Sequence, residues 1–303
     1  MNLLITGAWQ QAKENIPRLV DMGHDVAFLQ NESDSLPCNA AWVEGIIGNG
    51  IFLTHPIENF INLRYIQLTS AGYDRVPMDY VEEHGIQIHN ARGVYSTPMA
   101  EFAVAGVLAL YKKLVGFLKS QENHEWHKQR DLRELSGQTI LIVGFGSVGH
   151  ECAKHFRAFD TVVLAADIQK PEAGFDQFYS MDHLPEALTR ADIVVISLPL
   201  TEETRGLFDE ALLSVCKPGA ILVSISRGAV VKEQALIKGL QSGTLGGAVL
   251  DVFEAEPLPG DSQLWDMPNV IVTPHNSFIS SLNSTRLLKL IMENLPNRKS
   301  DVL

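Results

Sequence analysis

The chain has 303 residues, room for two domains of ordinary size, with 46% hydrophobic and 20% charged residues. A formal net charge of −12 argues against nucleic acid as a partner, because phosphate binding needs basic patches. No apolar run is long enough to span a bilayer, and Cys38, Cys152 and Cys216 never form a C-x-x-C pair, so neither a membrane partner nor a metal site is expected.

Residues 1 to about 90 alternate short apolar strands with helical patterns. The start of the chain reads as a strand, without a basic n-region or a cleavage site, and the scattered thiols fit a reducing compartment; a cytoplasmic protein is expected. Strands are expected at 3–6, 26–30, 43–47, 65–69 and 86–89, and helices at 12–22 and 78–83. Such alternation implies a parallel sheet covered on both faces. Residues 97–119 form one strongly apolar helical stretch, with Thr97 and Pro98 as N-cap and first helical position and Glu101 in the first turn. A polar segment with His124, Trp126 and His127 follows.

The run Thr139-Ile140-Leu141-Ile142-Val143 then ends in Gly144-Phe145-Gly146-Ser147-Val148-Gly149, glycines at G-x-G-x-x-G spacing. Val148, Cys152 and Phe156 continue at helical spacing. Gly144 allows the turn, Gly146 lets a pyrophosphate approach the backbone, and Gly149 lets the helix pack close to the strand. The helix N-terminus offers free N–H groups to the phosphates. A glycine turn in an unrelated α/β sheet would carry the same pattern. Here a second apolar strand, 161–167, ends in Asp167, where a carboxylate would take the adenosine ribose hydroxyls. Further strands are expected at 192–198, 221–226, 247–252 and 270–273, making six parallel strands, with a helix at 233–241. The tail after Pro274 is helical over about 281–294 and is expected to return to the first domain.

Open α/β sheets bind ligands at the carboxyl ends of their strands. Four charged residues stand there: Arg227, Asp251, Glu256 and His275. Singly, Arg227 reads as a solvated loop residue, Glu256 as a turn residue and His275 as a structural histidine. Asp251 is harder to dismiss, because an unpaired buried carboxylate is costly. Together they form an acid, a base and a cation, each just past its own strand.

Residues 139–277 resemble the D-isomer-specific 2-hydroxyacid dehydrogenase family, in its phosphoglycerate dehydrogenase-like and hydroxypyruvate reductase-like members. The resemblance rests on the glycine loop, Leu198-Pro199-Leu200-Thr201-Glu202-Glu203-Thr204, Ser226-Arg227-Gly228-Ala229-Val230-Val231, Leu250-Asp251-Val252-Phe253-Glu254-Ala255-Glu256-Pro257-Leu258-Pro259 and Thr273-Pro274-His275. Upstream, Ala71-Gly72-Tyr73-Asp74, Gly85-Ile86-Gln87-Ile88-His89-Asn90 and Ala100-Glu101 are similar to that family's substrate domain.

The resemblance implies an α/β protein of two doubly wound parallel-sheet domains. One is a Rossmann NAD-binding domain over 93–274. The other is a flavodoxin-like substrate domain over 1–92 plus 275–303, with a cleft between them that closes on substrate. It implies reduction of a 2-keto acid to a D-2-hydroxy acid, and the reverse. Arg227 would hold the carboxylate and polarise the keto oxygen. His275 would donate the proton and Glu256 would hydrogen-bond its other ring nitrogen. Ala71 and Gly72 would cradle the carboxylate, alongside Arg227 and His275. Gly144, Gly146, Ser147, Val148, Gly149, Asp167, Leu198, Pro199, Thr204, Ser226, Arg227, Asp251, His275 and Thr97 would line the cofactor, Asp251 on the nicotinamide side. Asp167 favours NAD over NADP, because a carboxylate repels a 2′-phosphate; Lys170 nearby softens this. Residues 119–135 and the preceding helix resemble the family's contact for a homodimer.

Asn276-Ser277-Phe278 replaces the small residues common after the family's histidine. Glu256, where formate-oxidising members carry Gln, argues against that activity. Arg75 beside the cradle hints at an anionic substrate tail. Two other functions keep the same cofactor site: an NAD(H)-sensing regulatory binding protein, and oxidation of a non-carbon acid such as phosphite.

Overall fold

The computed structural model describes residues 1–296, and the chain divides into two compact units: Met1–Tyr95 with the segment from Ser280, and Ser96–Ile279. Among the described residues no helix is long and apolar enough to cross a membrane.

The first unit runs β1 (Asn2–Thr6), α1 (Ala12–Asp21), β2 (Asp25–Leu29), β3 (Gly45–Gly48), β4 (Tyr65–Leu68), α2 (Met78–Glu83) and β5 (Gln87–His89). All five strands pair in parallel in the order β2-β1-β3-β4-β5, the doubly wound order of flavodoxin-like sheets, with its switch point between β1 and β3. The strand period of two sends Leu3 and Ile5 to one face and Leu4 to the other. Helix α1 presents Ala12, Asn15 and Leu19 inward at helical spacing.

The second unit continues with α3 (Ser96–Tyr111), α4 (Leu114–Glu122), β6 (Thr139–Val143), α5 (Ser147–Arg157), β7 (Val162–Asp167), β8 (Gln177–Ser180), α6 (Leu184–Arg190), β9 (Ile193–Ile196), α7 (Glu210–Ser214), β10 (Ala220–Ser224), α8 (Glu233–Ser242), β11 (Leu245–Leu250) and β12 (Val270–Val272). Its sheet is wholly parallel, in the order β12-β11-β10-β9-β6-β7-β8. Counted from β6, that is the 3-2-1-4-5-6 dinucleotide-binding order with one strand added beyond β11. Strands β9 and β10 are buried from end to end and β6 from Ile140 onward, because helices cover both faces. On one face Gly106 of α3 packs so close to β11 that a Cβ there would stand 2.5 Å from a methyl of Val249.

The last element among the described residues, α9 (Asn283–Asn294), belongs to the first unit. Leu287, Ile291 and Leu295 bury against Met1, Leu3, Ile5 and Trp9, and the Asn294 amide donates to Gln67 Oε1 at 2.9 Å.

Three expectations are corrected. The second sheet has seven strands, not six; the extra one, Gln177-Phe178-Tyr179-Ser180, is a short edge strand with polar ends that gains its identity only by pairing with β7. The helix expected over 97–119 is two helices. The first starts at Ser96, so Thr97 lies inside its first turn and is not the N-cap, and Glu101 falls beyond that turn. It stops before Lys113, which takes a left-handed φ of 52°, and the Lys112 and Lys113 side chains reach back to Arg133 O and the Asp131 carboxylate. Finally, residues 275–279 group with the second unit, not with the tail, because Asp251 holds them there.

Candidate active site

The glycine loop follows β6 directly. Gly144 takes φ 87°, its N–H donates to Ala166 O at 2.8 Å, and its carbonyl accepts from Ser197 Oγ at 2.5 Å. A Cβ at Gly144 would meet the backbone of Ser197 and Leu198, and one at Gly149 would lie 2.3 Å from Gly144 O. These two glycines are demanded by the protein's own packing. Gly146 is different: a Cβ there would meet no protein atom within 4 Å. It caps α5 in an extended conformation and is exposed, with Ser147 and Val148 half-buried in the first turn. The arrangement suits a pyrophosphate, which would lie over Gly146 against the first N–H groups of α5.

Asp167 ends β7 beside this loop. Its Oδ2 accepts the Phe145 N–H at 2.5 Å and its Oδ1 the Ile168 N–H at 2.6 Å. After β9, Leu198 is buried and Pro199 exposed; the Thr204 hydroxyl donates to Pro199 O at 2.7 Å and accepts the Thr201 N–H at 2.8 Å, which closes that loop on itself. Ser226 is buried, and the Arg227 guanidinium bonds Ser226 O at 3.0 Å. Gly228 explains how this turn sits: a Cβ there would stand 2.0 Å from the carbonyl group of Phe253, so only glycine lets the arginine turn press against the segment that carries Glu256.

That segment and the histidine loop form the centre of the site. The Glu256 carboxylate accepts the Phe253 N–H with Oε1 at 3.0 Å, which turns Oε2 to His275 Nδ1 at 2.8 Å. An ionised carboxylate only accepts, so Nδ1 carries hydrogen and Nε2 is left for a ligand. His275 is 39% exposed at its side chain and meets Phe278 edge to face at 5.9 Å. Its backbone takes a left-handed φ of 51°. Asp251 holds it there. This residue is fully buried, and its carboxylate accepts from Thr273 Oγ1 at 2.7 Å, Asn276 N at 2.7 Å and Ser277 N at 2.9 Å, while its carbonyl accepts the His275 N–H at 2.8 Å.

Thr97 lies half-buried in the first turn of α3 and makes no side-chain hydrogen bond among the described residues. In the first unit, Ala71 and Gly72 follow β4. Their carbonyls are consumed, Ala71 O by the Asn90 amide at 2.7 Å and Gly72 O by Ser70 Oγ at 3.2 Å. Their N–H groups have no acceptor among the described residues, so the strip offers donors outward.

Glu32 went unread in the sequence. Just past β2, it accepts from Thr6 Oγ1 at 2.8 Å, Asn49 N at 2.6 Å and Gly50 N at 2.7 Å, and so sets the loop after β3 at the switch point. An acid three residues past the end of a strand was its only signal.

A dinucleotide-binding sheet with a histidine–carboxylate pair at its carboxyl edge defines an oxidoreductase of the nicotinamide-dependent class. A model described as "D-isomer specific 2-hydroxyacid dehydrogenase, NAD binding domain" matches residues 104–277, and the chain belongs to that family. A glyoxylate reductase of Thermofilum pendens is 34% identical over 241 residues, 77% of this chain and 71% of its own. A glyoxylate/hydroxypyruvate reductase B of Pectobacterium carotovorum is 34% identical over 83% of this chain and 82% of its own. Among solved structures, a D-isomer specific 2-hydroxyacid dehydrogenase family protein of Aeromonas salmonicida superposes with a TM-score of 0.80 at 31% identity, covering 97% of this chain and 94% of that one. A Xanthobacter autotrophicus relative solved with NADPH and a D-lactate dehydrogenase of Aquifex aeolicus solved with NAD and lactic acid superpose with TM-scores of 0.77 and 0.78, at 28% and 25% identity. Each covers 96% of this chain and 93% of its own.

Proposed function

We propose that the chain reduces a 2-keto acid to a D-2-hydroxy acid with NADH, His275 giving the proton. The hydrogen bond from His275 Nδ1 to Glu256 Oε2 carries this reading, since it leaves Nε2 as the only ring nitrogen free for chemistry. When bound, the reduced nicotinamide supplies the hydride that adds to C2. Protonated His275 donates from Nε2 to the keto oxygen, the C2–O double bond becomes single, and the neutral ring remains hydrogen-bonded to Glu256. In the reverse direction Nε2 takes that proton back. Arg227 presents a planar fork to the carboxylate and draws charge toward the keto oxygen. The outward N–H groups of Ala71 and Gly72 are donors that suit a carboxylate. The test is loss of NADH absorbance against a panel of 2-keto acids, with His275→Ala as control. Turnover that disappears in the variant supports the reading; undiminished turnover overturns it.

We further propose NAD over NADP. The Asp167 carboxylate stands at the end of β7 beside the glycine loop, where a free 2′-hydroxyl can donate and a 2′-phosphate is repelled. We also propose a homodimer through α4 and the segment after it. Leu114 and Leu118 of α4 are exposed, and Trp126 is 92% exposed, more apolar surface than a solvated loop needs. Light scattering that returned the mass of a single chain would remove this assignment.

A further inference from the structure

Arg227 follows β10 and Glu256 follows β11, both within the second unit, and the proposed reaction needs their two loops to keep a fixed spacing. The arginine side is well tied. The Val230 N–H closes the turn on Arg227 O at 3.2 Å, the Lys232 N–H bonds Phe208 O at 3.0 Å, and α8 begins at Glu233. The glutamate side lacks such ties: residues 253–258 make no backbone–backbone hydrogen bond among the described residues. Glu256 Oε1 accepts the Phe253 N–H within the segment, and Oε2 is turned to His275. Among the described residues, one hydrogen bond joins this segment to α8. Glu254 Oε1 accepts the Glu233 N–H at 3.2 Å.

That N–H is the first of the helix and has no acceptor inside it. Lys232, the N-cap residue, makes no side-chain cap, and its Nζ lies 3.8 Å from the Asp209 carboxylate. An anion is favoured at a helix N-terminus, so Glu254 supplies from 21 residues away what a serine or aspartate before the helix would supply. Packing alone does not fix the junction, because Ser224, Gly228, Phe253, Glu233 and Glu254 line a cavity of about 10 Å³ shared by the two loops. Burial, with the Glu254 charge adding to it, raises the Glu233 carboxyl above its ordinary 4.5, against a hydrogen bond from Ser262. A like charge beside Glu254 pushes it away, so the N–H bond is what holds it in place.

We infer that Glu254 is a positioning residue for the proposed reaction: by taking the first N–H of α8 it sets the segment that carries Glu256, and through Glu256 the ring of His275, against the arginine turn. This rests on the 2-keto acid reading above. The path is short. Only Ala255 lies between Glu254 and Glu256, and Phe253 on the other side already gives its N–H to Glu256. A shift at Glu254 therefore moves the carboxylate that fixes His275 Nδ1. Glu254 acts on no substrate atom; its effect reaches the chemistry through Glu256.

The experiment is a double-mutant cycle on the NADH-dependent reduction of glyoxylate and hydroxypyruvate, with thermal melting of each variant beside the kinetics. Glu254→Ala is expected to lower kcat roughly 3- to 30-fold while KM and NADH affinity change less than about twofold, since a small misplacement costs rate rather than binding. Glu254→Gln keeps an oxygen for the Glu233 N–H and is expected to recover most of that rate. In a Glu256→Gln background, Glu254→Ala is expected to cost less than about twofold more, because the two residues act in series. A lowered Tm with kcat unchanged would make Glu254 a helix cap and nothing else. The full alanine loss persisting in the Glu256→Gln background, or a glutamine variant as slow as the alanine one, would equally overturn the positioning role. Each of those outcomes leaves the reductase standing. No wild-type turnover of either acid or of pyruvate, with NADH still bound, would remove the reductase reading and the positioning role with it.

Discussion

His275 hangs from Asp251. Its N–H bonds the Asp251 carbonyl at 2.8 Å, and the carboxylate of the same aspartate, fully buried, takes the N–H groups of the two residues that follow the histidine. The left-handed backbone at His275 persists because these bonds over-determine it.

Asp251→Asn should therefore damage catalysis more than cofactor binding. The amide cannot accept at both positions, so a buried N–H loses its acceptor, at a cost of about 1–3 kcal/mol. A small displacement of His275 should lower kcat by roughly 10- to 100-fold. Thermal melting, NADH titration and steady-state kinetics check this together. A larger loss in NADH affinity than in kcat would instead assign Asp251 to the cofactor.

Glu256→Gln should keep the fold and lower kcat by about 10- to 100-fold, because the amide cannot compensate the imidazolium that donates the proton. NADH affinity should change little. Unchanged kcat would show the 2.8 Å contact to be idle in catalysis.

The glycine loop separates packing from binding. Gly149→Ala places a Cβ 2.3 Å from Gly144 O and should destabilise the protein by about 1–3 kcal/mol or more, read as a lowered Tm. Gly146→Ala meets no protein atom, so Tm should hold while NADH affinity falls roughly tenfold or more. The reverse pattern would move the phosphate site away from Gly146.

Asp167→Ala should weaken NADH far more than NADPH, because only NADH offers the hydroxyl the carboxylate accepts. Both lose some affinity, since the Phe145 N–H loses its acceptor and the loop loosens. Equal losses measured by fluorescence titration would count against NAD preference.

Stability should decline in alkali. Burial, with the Glu151 charge adding to it, pushes the Cys152 thiol up to about 12, and burial pushes Cys216 up to about 11, from an ordinary 9.0. Above pH 9 the unfolded chain releases protons that the folded chain keeps. Stability is thus full below pH 9 and is lost as pH rises toward 11 and 12, by at most about 1.4 kcal/mol per pH unit for each thiol. Cys152→Ala should flatten the fall of Tm between pH 9 and 11. At pH 8 a thiol reagent should leave both residues unlabelled until the protein unfolds.

Much of the fold was legible because its signals are local. Every expected strand of the first sheet has a counterpart in the structure, since apolar β-branched runs separated by turns need no distant partner to be recognised. The glycine spacing was legible for the same reason: each glycine answers a backbone demand within a few residues. What failed was an element with little pattern of its own. Strand β8 depends on its neighbour for definition, and the break after Tyr111 comes where an apolar period simply continues through a left-handed lysine.

By itself the sequence determined the two parallel sheets, the nucleotide loop and the identity of the charged residues beyond the strands, because periodicity and residue type state these directly. The tertiary structure alone decided that Glu32 would hold Asn49 and Gly50, that Gly228 would press the arginine turn against Phe253, and that Asp251 would carry the histidine loop. Those contacts join loops far apart in the chain. They arise from strand order and register, which depend on the packing of whole helices and strands, and no local run of residues encodes them.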